Sequence, residues 1–320
     1  MKDDKGPVYS EECLCVTALP LYHCFGLNVT LISPLSVGGT VILIKRFSPD
    51  TVLEAITHHK ANIFAGVPTM YAYMAQVYDP DKHDLSSIRF SCSAGAALPD
   101  ELVKAFKEKT GVRIIQGYGI TEASAQAIAP PLKIDTSVQK VGTIGLPLRN
   151  KEEVTEAEIF DDNDQKLPPN ELGELVIKGR HVMKGYWGMP EETNNTIRNG
   201  WLHTGDLAKK DEDDYLYIVD RKKDIIIVGG ENVVPKEVEE VLYQNSNILE
   251  AAVVGVPDSM KGEVIKAVVA LKKEARTTEE EIRNYCEQRL AKFKVPEFIE
   301  FREELPKSAT GKILRKDLKS

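Results

Sequence analysis

One lysine near the end of the chain stands in a setting that could bind phosphate. Lys312 follows Gly311 in the stretch LPKSATGKILRK, residues 305–316. A nucleotide phosphate loop has the pattern G-x-x-x-x-G-K-[ST] and opens a helix. Here Pro306 replaces the first glycine and Ile313 follows the lysine, so that pattern fails. The stretch alone leaves two interpretations, a solvated surface lysine or a lysine with another role.

The stretch QGYGITE, residues 116–122, follows a predicted strand and could bind a nucleotide. Tyr118 offers a flat face for a base, Thr121 can donate to a phosphate, and Glu122 can hold Mg²⁺ through oxygen. The alternative is a strand-to-helix turn with Thr121 as its N-cap. A dinucleotide fold is not favoured, because Glu122 stands where G-x-G-x-x-G requires its third glycine.

Two further stretches are ambiguous when taken singly. SAGAALP, residues 93–99, has small side chains that let a planar ligand approach the backbone, but it is also an ordinary loop before a helix that begins at Pro99. PLYHCFG, residues 20–26, places His23 in an apolar setting. A lone histidine there is more often structural than catalytic.

A third group of candidates lies between residues 203 and 235. Asp206, behind Gly205 in HTGDLA, could accept two hydrogen bonds from a ribose diol. Arg221 in DRKKD could contact phosphate or ribose with its planar fork. DRKKD is also a plain charged connector and could be a hinge. Gly229 and Gly230 permit a narrow backbone passage or a tight turn.

Alternating elements in the first third of the chain must position these loops. Apolar runs predict strands at 40–44, 62–66, 88–92 and 112–116. Helices are predicted between them at 50–59, 68–78 and 99–109, with Pro68 and Pro99 in their first turns. This alternation predicts an α/β fold with a parallel sheet.

The rest of the chain shows two other patterns of predicted elements. Short strands at 156–160, 173–178 and 215–219, separated by turn residues, predict a small β-barrel or sandwich. Within it, DDND at 161–164 predicts a hairpin turn rather than a calcium loop. From about residue 222, strands at 225–228, 251–256 and 265–271 and helices at 236–243 and 278–290 predict a compact α+β unit. Thr278 and Glu281 predict a capping box.

Composition excludes several classes of protein. The 320 residues are enough for two or more domains, and the net charge of −8 argues against nucleic acid as the main partner. No apolar run approaches the roughly 18 residues of a membrane span, and no secretory signal is visible. The five cysteines and six histidines show neither C-x-x-C nor H-x-x-x-H spacing, which predicts reduced cytosolic thiols and no zinc site.

Taken together, the motifs carry a family resemblance over nearly the whole chain. They run in the order PLYHCFG, SAGAALP, QGYGITE, VGTIGLPL, GELVIKG with MKGYW, GWLHTGD, YIVDRKKDIIIVGGENVVPKEVEEVL and LPKSATGKILRK. The chain resembles the adenylate-forming superfamily of acyl-CoA synthetases, luciferases and peptide-synthetase adenylation domains, and most closely bacterial long- and medium-chain fatty acid–CoA ligases. The resemblance implies a partial α/β parallel-sheet portion at 1–140, a β-barrel-like subdomain at 141–221 and a mobile C-terminal α+β lid domain at 222–320.

The resemblance also implies a reaction and its participants. A carboxylic acid reacts with ATP and Mg²⁺ to give acyl-AMP, and the thiol of CoA then displaces AMP. His23 would line the acyl-carboxylate side, Thr121 would meet phosphate, Glu122 would hold Mg²⁺, and Lys312 would bridge carboxylate and α-phosphate. The resemblance gives the remaining residues roles in binding nucleotide or CoA or as a hinge: Gly95, Ala96, Ala97 and Tyr118 around adenine, Gly117 and Gly119 in cofactor binding, Asp206 and Arg221 at the ribose, Lys223 at the hinge, and Gly229 and Gly230 along the pantetheine tunnel.

One family feature has no match in the sequence. Members carry a loop like S-G-T-T-G-x-P-K-G before the His23 motif, and none occurs here. We therefore expect a fragment that lacks the β- and γ-phosphate grip, adenylates weakly or not at all, and self-associates through exposed apolar surface. A non-catalytic AMP- or protein-binding remnant and an aryl acid–CoA ligase remain alternatives. A peptide-synthetase domain is disfavoured because no carrier domain follows. Luciferase-like oxidation is a further alternative, and the ending Leu318-Lys319-Ser320, which is not the S-K-L address of peroxisomal proteins, discriminates only weakly against it. A cytoplasmic location is expected, with peripheral membrane attachment and a homo-oligomer left open.

Overall fold

The computed structural model of the chain describes residues 8–130, 140, 142–148 and 154–319. Its residues form two compact units, Met1–Leu98 with Val103–Ile218 and Pro99–Leu102 with Val219–Ser320. The predicted boundary between residues 140 and 141 lies at the edge of an undescribed stretch. The three predicted domain ranges therefore remain predictions.

A parallel sheet organises the first unit. Its strands are β1 (Leu14–Thr17), β2 (Thr40–Leu43), β3 (Ile63–Gly66), β4 (Phe90–Ser93) and β5 (Ile115–Gln116), in the order β2-β1-β3-β4-β5. Every neighbouring pair is parallel. The predicted α/β class is confirmed, and the four predicted strands are present with shifted ends. β1 was not predicted. Its Cys15 and Val16 are fully buried, as expected of a strand covered on both faces.

Helices α1 to α4 connect these strands. The α-helices among the described residues are α1 (Ser33–Ser36), α2 (Pro49–His59), α3 (Pro68–Val77), α4 (Asp100–Thr110), α5 (Pro190–Thr196), α6 (Pro235–Tyr243) and α7 (Glu279–Glu287). Pro68 occupies the first turn of α3 as predicted, whereas α4 begins one residue after Pro99. The segment Phe25–Ile32, which overlaps the end of the His23 motif, forms an unpredicted π-helix.

Antiparallel strands follow, and all of them except β6 lie in the predicted β-rich part. They are β6 (Ile128–Ala129), β7 (Leu146–Pro147), β8 (Glu156–Phe160), β9 (Gly173–Lys178), β10 (Ile197–Arg198), β11 (Trp201–Lys210) and β12 (Leu216–Arg221). Strands β10-β11-β9-β8 form one sheet with β12 beside β11, and β6 pairs with β7. The predicted hairpin turn after β8 is confirmed, because Asp161 Oδ1 accepts hydrogen bonds from the amides of Asn163 and Gln165.

The second unit is an α+β body, as predicted. Its strands are β13 (Ile226–Val228), β14 (Glu231–Val233), β15 (Ile248–Asp258), β16 (Gly262–Leu271) and β17 (Phe298–Phe301), in the order β14-β13-β16-β15 with β17 parallel to β16. Helices α6 and α7 contribute Val238, Leu242, Ile282 and Cys286 to the buried core on one sheet face. No helix among the described residues is long and apolar enough to cross a membrane.

The capping box at the start of α7 is confirmed. The amide of Glu281 donates to Thr278 Oγ1 at 3.2 Å, and the amide of Thr278 donates to Glu281 Oε2 at 2.9 Å. We expect Thr278→Ala to lower the free energy of unfolding by about 1 kcal/mol, because an amide of the first turn loses its acceptor. Urea denaturation measures this loss. Thr278→Ser keeps the hydroxyl and should stay close to the unsubstituted chain; an equal loss in both variants would contradict the capping explanation.

Candidate functional site

Two of the predicted nucleotide loops leave the same edge of the parallel sheet. Ser93, the last residue of β4, pairs with Gln116, the last residue of β5, and the amide of Gly117 donates to Ser93 O at 2.9 Å. SAGAALP and QGYGITE therefore start side by side at the carboxyl ends of neighbouring strands, where open α/β sheets bind ligands. Gly95 in the first loop has φ of +83°, which only glycine adopts without strain.

Gly119 allows the QGYGITE loop to fold tightly on itself. A Cβ built at this position would lie 1.1 Å from the carbonyl oxygen of Ala125. At Gly117 the corresponding Cβ would lie 3.2 Å from Cys92 Sγ, which is a tight contact but not an overlap. Glycine at 119 is therefore a steric requirement of this loop.

The loop places Tyr118 against a buried carboxylate. The Tyr118 hydroxyl donates to Asp206 Oδ2 at 2.6 Å, and Asp206, in β11, is only 5% exposed. The Tyr118 backbone exchanges hydrogen bonds with Ile128 in β6, which fixes the tyrosine in place. The structure thus joins a residue predicted at the adenine with one predicted at the ribose.

The contribution of the Tyr118–Asp206 hydrogen bond to the stability of the chain should be measurable. We expect Tyr118→Phe to cost about 1.5–3 kcal/mol of stability, because a buried carboxylate loses a hydrogen-bond donor. The matched control is Tyr217→Phe. Tyr217 donates to Asp211 at 3.0 Å, but Asp211 is only half-buried, whereas Asp206 is buried. Urea denaturation measures the free energy of unfolding of both variants. Equal losses of stability would contradict the assigned importance of the Tyr118–Asp206 hydrogen bond.

Glu122, the predicted Mg²⁺ ligand, is also held by a tyrosine. The Tyr186 hydroxyl donates to Glu122 Oε1 at 2.9 Å, and the amide of Met183 donates to Glu122 O at 2.7 Å. Burial and the neighbouring Glu122 carboxylate raise the pKa of Tyr186, so its hydroxyl stays protonated as a donor. The prediction did not assign a role to Tyr186, although MKGYW was among the quoted motifs.

Thr121 lies on the exposed side of the same turn. It is the first residue of the 3₁₀ helix Thr121–Ala123, and no side chain caps that helix, so the N-cap alternative is wrong. Thr121 Oγ1 lies 3.6 Å from Cys24 Sγ, and Asn28 Nδ2 donates to Ser124 O at 2.8 Å. The segment that follows His23 therefore packs on the QGYGITE turn.

His23 itself is half-buried and makes a local hydrogen bond. Its Nδ1 accepts from the amide of Phe25 at 3.2 Å, at the start of the π-helix. An accepting Nδ1 puts the proton of a neutral ring on Nε2. The bond gives His23 a structural role, and its predicted place beside an acyl carboxylate stays a prediction.

The second unit contains the remaining predicted residues. Arg221 ends β12, and Lys223 is exposed in the 3₁₀ helix Lys222–Asp224 that follows. Gly229 and Gly230 have φ of +60° and +91° and form the turn between β13 and β14. The tight-turn interpretation is therefore correct for this glycine pair, and a role beside pantetheine stays a prediction.

Lys312 is exposed in an ordered hairpin rather than a loose tail. The amide of Ser308 donates to Lys312 O at 2.8 Å, and the amide of Lys312 donates back to Ser308 Oγ at 3.2 Å. Lys307 and Ile313 pair across the hairpin, and Gly311 turns it with φ of +83°. The glycine before Lys312 is thus explained by the turn and not by a phosphate loop.

The fold and motifs define a class of protein that comparison with known families identifies. The profile of the AMP-binding enzyme family matches residues 3–187, and that of the AMP-binding enzyme C-terminal domain matches residues 237–312. The chain belongs to the AMP-binding enzyme family. The predicted resemblance to adenylate-forming enzymes is confirmed.

Individual relatives agree with this assignment. The chain is 44% identical to a long-chain-fatty-acid–CoA ligase of Bacillus subtilis strain 168 over 94% of this chain and 52% of that protein. It is 40% identical to a feruloyl-CoA synthase of an Amycolatopsis species over 95% of this chain and 60% of that protein. An anthranilate CoA ligase solved with anthranoyl-AMP matches with a TM-score of 0.86 and 35% identity, over 98% of this chain and 60% of that one. The chain thus spans about half the length of the curated relatives it matches.

Proposed function

We propose that this chain carries the adenine, ribose and lid elements of an ATP-dependent acid–CoA ligase. The observation that supports this most directly is the cluster at the edge of the parallel sheet. There Tyr118 binds Asp206, and Glu122 follows in the same loop. An aromatic face, a buried carboxylate and a half-buried carboxylate suit base, ribose and phosphate-bound metal in that order.

The proposed reaction has two steps. A carboxylate oxygen of the acid attacks the α-phosphorus of ATP, and the bond to the bridging oxygen breaks, which gives acyl-AMP and pyrophosphate. The sulfur of CoA then attacks the acyl carbon, AMP leaves with the electron pair of the broken C–O bond, and the thiol proton is released. Each step exchanges one bond for another without an oxidant or reductant.

Most of the residues proposed to bind the nucleotide lie in the first unit. Gly95, Ala96, Ala97 and Tyr118 would surround adenine, and Gly117 and Gly119 would belong to the same cofactor-binding loop. Asp206 would bind the ribose, and Arg221, which belongs to the second unit, is also proposed to bind the ribose. The small side chains let the base approach the backbone, and an acceptor-only carboxylate suits a diol. Thr121 would donate to phosphate and His23 would line the acyl carboxylate.

The donor chemistry around Glu122 fits Mg²⁺ held partly by the substrate. Tyr186 engages one oxygen of this carboxylate, and Glu122 is half-buried. Mg²⁺ commonly takes one or two protein carboxylates and completes its shell with water and phosphates. Glu122 would hold the ion, and the ion would supply positive charge to the phosphates.

The second unit would supply the moving part. Lys312 would offset the negative charge that develops when two anions, carboxylate and α-phosphate, approach. Lys223 would be the hinge position, and Gly229 and Gly230 would line the path of pantetheine. A lysine delivered by a lid serves the first step and can be withdrawn for the second.

The acid is proposed to be a fatty acid, with aryl acids as the second class. Fatty acid–CoA ligases are among the most similar relatives, and a feruloyl-CoA synthase and an anthranilate CoA ligase also match the chain. All five cysteines are free thiols, which supports the proposed cytoplasmic location. A homo-oligomer remains a prediction that gel filtration tests.

Pyrophosphate release tests the proposal. The chain is mixed with ATP, Mg²⁺ and CoA together with fatty and aryl acids, and AMP binding is measured separately by calorimetry. Release that depends on one class of acid would support the ligase and name its substrate. Because no stretch of this chain matches the S-G-T-T-G-x-P-K-G loop, AMP binding without turnover is the second candidate function. If the chain neither binds AMP nor releases pyrophosphate, both candidate functions are wrong.

A further inference from the structure

Ion pairs of Lys307 and Arg315 hold the two ends of the hairpin that presents Lys312. Before the hairpin, Lys307 Nζ lies 2.8 Å from Glu250 Oε2, and the Glu250 side chain in β15 is only 2% exposed. Burial raises the pKa of the Glu250 carboxyl, and the ammonium of Lys307 offsets part of that rise. The charged form of the Glu250 carboxylate is therefore stabilised by the ammonium group of Lys307.

After the hairpin, Arg315 binds three carboxylates at once. Its Nη2 donates to both oxygens of Glu239 in α6 at 2.8 Å. Its Nη1 donates to Asp220 Oδ1 at 3.0 Å and Asp224 Oδ2 at 3.4 Å. Two of these acceptors are themselves fixed, since the amides of Lys236 and Val253 donate to Asp220 and Glu239. A planar guanidinium in such a site has essentially one orientation.

Apolar contacts complete the attachment. Leu305 and Leu318, on either side of the hairpin, are 1% and 0% exposed and pack with Val254 and Val268 on one face of the sheet. Ile313 is partly buried against the same cluster. Lys312 itself is exposed on the turn between these attached residues.

Burying charges is expensive, so these ion pairs need a reason beyond stability. An apolar replacement of a buried pair is often as stable as the pair itself. Unlike apolar contacts, ion pairs fix the orientation of the side chains, because each hydrogen bond defines the position of its partner atom. A lysine with four rotatable methylenes has no rigidity of its own, and a displacement of about 1 Å at a reacting group can cost about a hundredfold in rate.

We propose that Lys307 and Arg315 are positioning residues that fix the Lys312 hairpin for acyl-adenylate formation. The inference rests on the proposed role of Lys312. Neither residue touches the reacting atoms. Lys307 ties one leg of the hairpin to β15, and Arg315 ties the other to α6 and to the two acidic residues that flank the predicted hinge position Lys223.

The test uses a variant that removes both charges of one pair, so that no buried charge is left alone. In Lys307→Met with Glu250→Leu the full chain should stay folded, because apolar side chains replace the pair. The matched control is Lys261→Met with Glu297→Leu, which removes an exposed pair of the same unit with a 2.7 Å contact. Arg315→Lys, which keeps the charge but loses the planar fork, tests the second attachment.

Two measurements separate positioning from general stability. Hydrogen exchange reports the amides of residues 308 and 312, and single-turnover assays report acyl-AMP formation and, separately, acyl transfer from supplied acyl-AMP to CoA. We expect faster exchange at these amides and about tenfold to a hundredfold slower acyl-AMP formation in both test variants, with acyl transfer unchanged. The control should change neither quantity.

The outcomes are distinct. If Lys312→Met slows acyl-AMP formation but the double variant and Arg315→Lys do not, the inference is wrong and the proposed function stands. If the two half-reactions slow equally, the two residues act through stability and the inference is also wrong. If Lys312→Met keeps the unsubstituted rate, the proposed role of Lys312 fails and the inference with it.

Discussion

Replacing Lys312 with methionine is expected to slow acyl-adenylate formation by about a hundredfold or more. Methionine keeps the length of the apolar stem but removes the ammonium group. Two anions, the carboxylate and the α-phosphate, must then approach without the positive charge that offsets their repulsion. AMP affinity should be unchanged, because the proposed adenine and ribose contacts come from other residues.

Single-turnover formation of acyl-AMP at high protein concentration measures this effect, so that even a slow reaction is resolved. Lys316→Met is the matched control, since Lys316 is exposed and lies four residues further along the same segment. The control should keep the unsubstituted rate. Equal rates in the unsubstituted chain and in Lys312→Met would remove Lys312 from the chemistry, whatever the chain is found to bind.

Gly119→Ala should disrupt the nucleotide loop. The added Cβ would overlap the carbonyl oxygen of Ala125 at 1.1 Å and its carbonyl carbon at 2.2 Å, and both are backbone atoms that no rotamer change can move. The loop must shift as a whole, which we expect to cost about 1–3 kcal/mol of stability or more. Because Tyr118 precedes this glycine, its bond to Asp206 should be lost and AMP affinity should fall with it.

Gly117→Ala is the control within the same loop. Its Cβ would meet Cys92 Sγ at 3.2 Å, a contact that a small side-chain movement relieves. Urea denaturation and calorimetric titration with AMP give both quantities for the two variants. A Gly119→Ala chain that matches Gly117→Ala in stability and AMP affinity would show that the loop tolerates the overlap by moving without consequence for the site.

Sequence periodicity predicted the regular elements that are long or sharply bounded. Helices α2 and α3 and strands β2 to β5 follow from apolar runs separated by proline, glycine and charged residues. Periodicity did not predict β1, because its four residues LCVT show neither alternation of polar and apolar side chains nor a turn signal. It also missed the π-helix at Phe25–Ile32, because an apolar run of that length fits a strand or a helix equally well.

The motifs indicated where the candidate site lies but not how its side chains meet. Tyr118 and Asp206 are 88 positions apart, and Asp220 and Arg315 are 95 apart, so no local pattern connects them. Only the parallel register of β4 and β5 and the folding of β11 onto the same unit create the first contact. Glu122 was identifiable from its loop, whereas its tyrosine donor was not, since a hydroxyl on a distant segment carries no spacing signal.

The segment that bears Lys312 is also a layer of the protein core. In the sheet of the second unit, helices α6 and α7 contribute to the core on one face. On the other face, Leu305, Ile313 and Leu318 pack with Ala252, Val254, Val268 and Ala270. A protease that cut before Leu305 would therefore strip a covering from apolar strands as well as remove a lysine. We therefore expect loss of this tail to expose an apolar sheet face and to lower the stability of the second unit, in addition to removing Lys312.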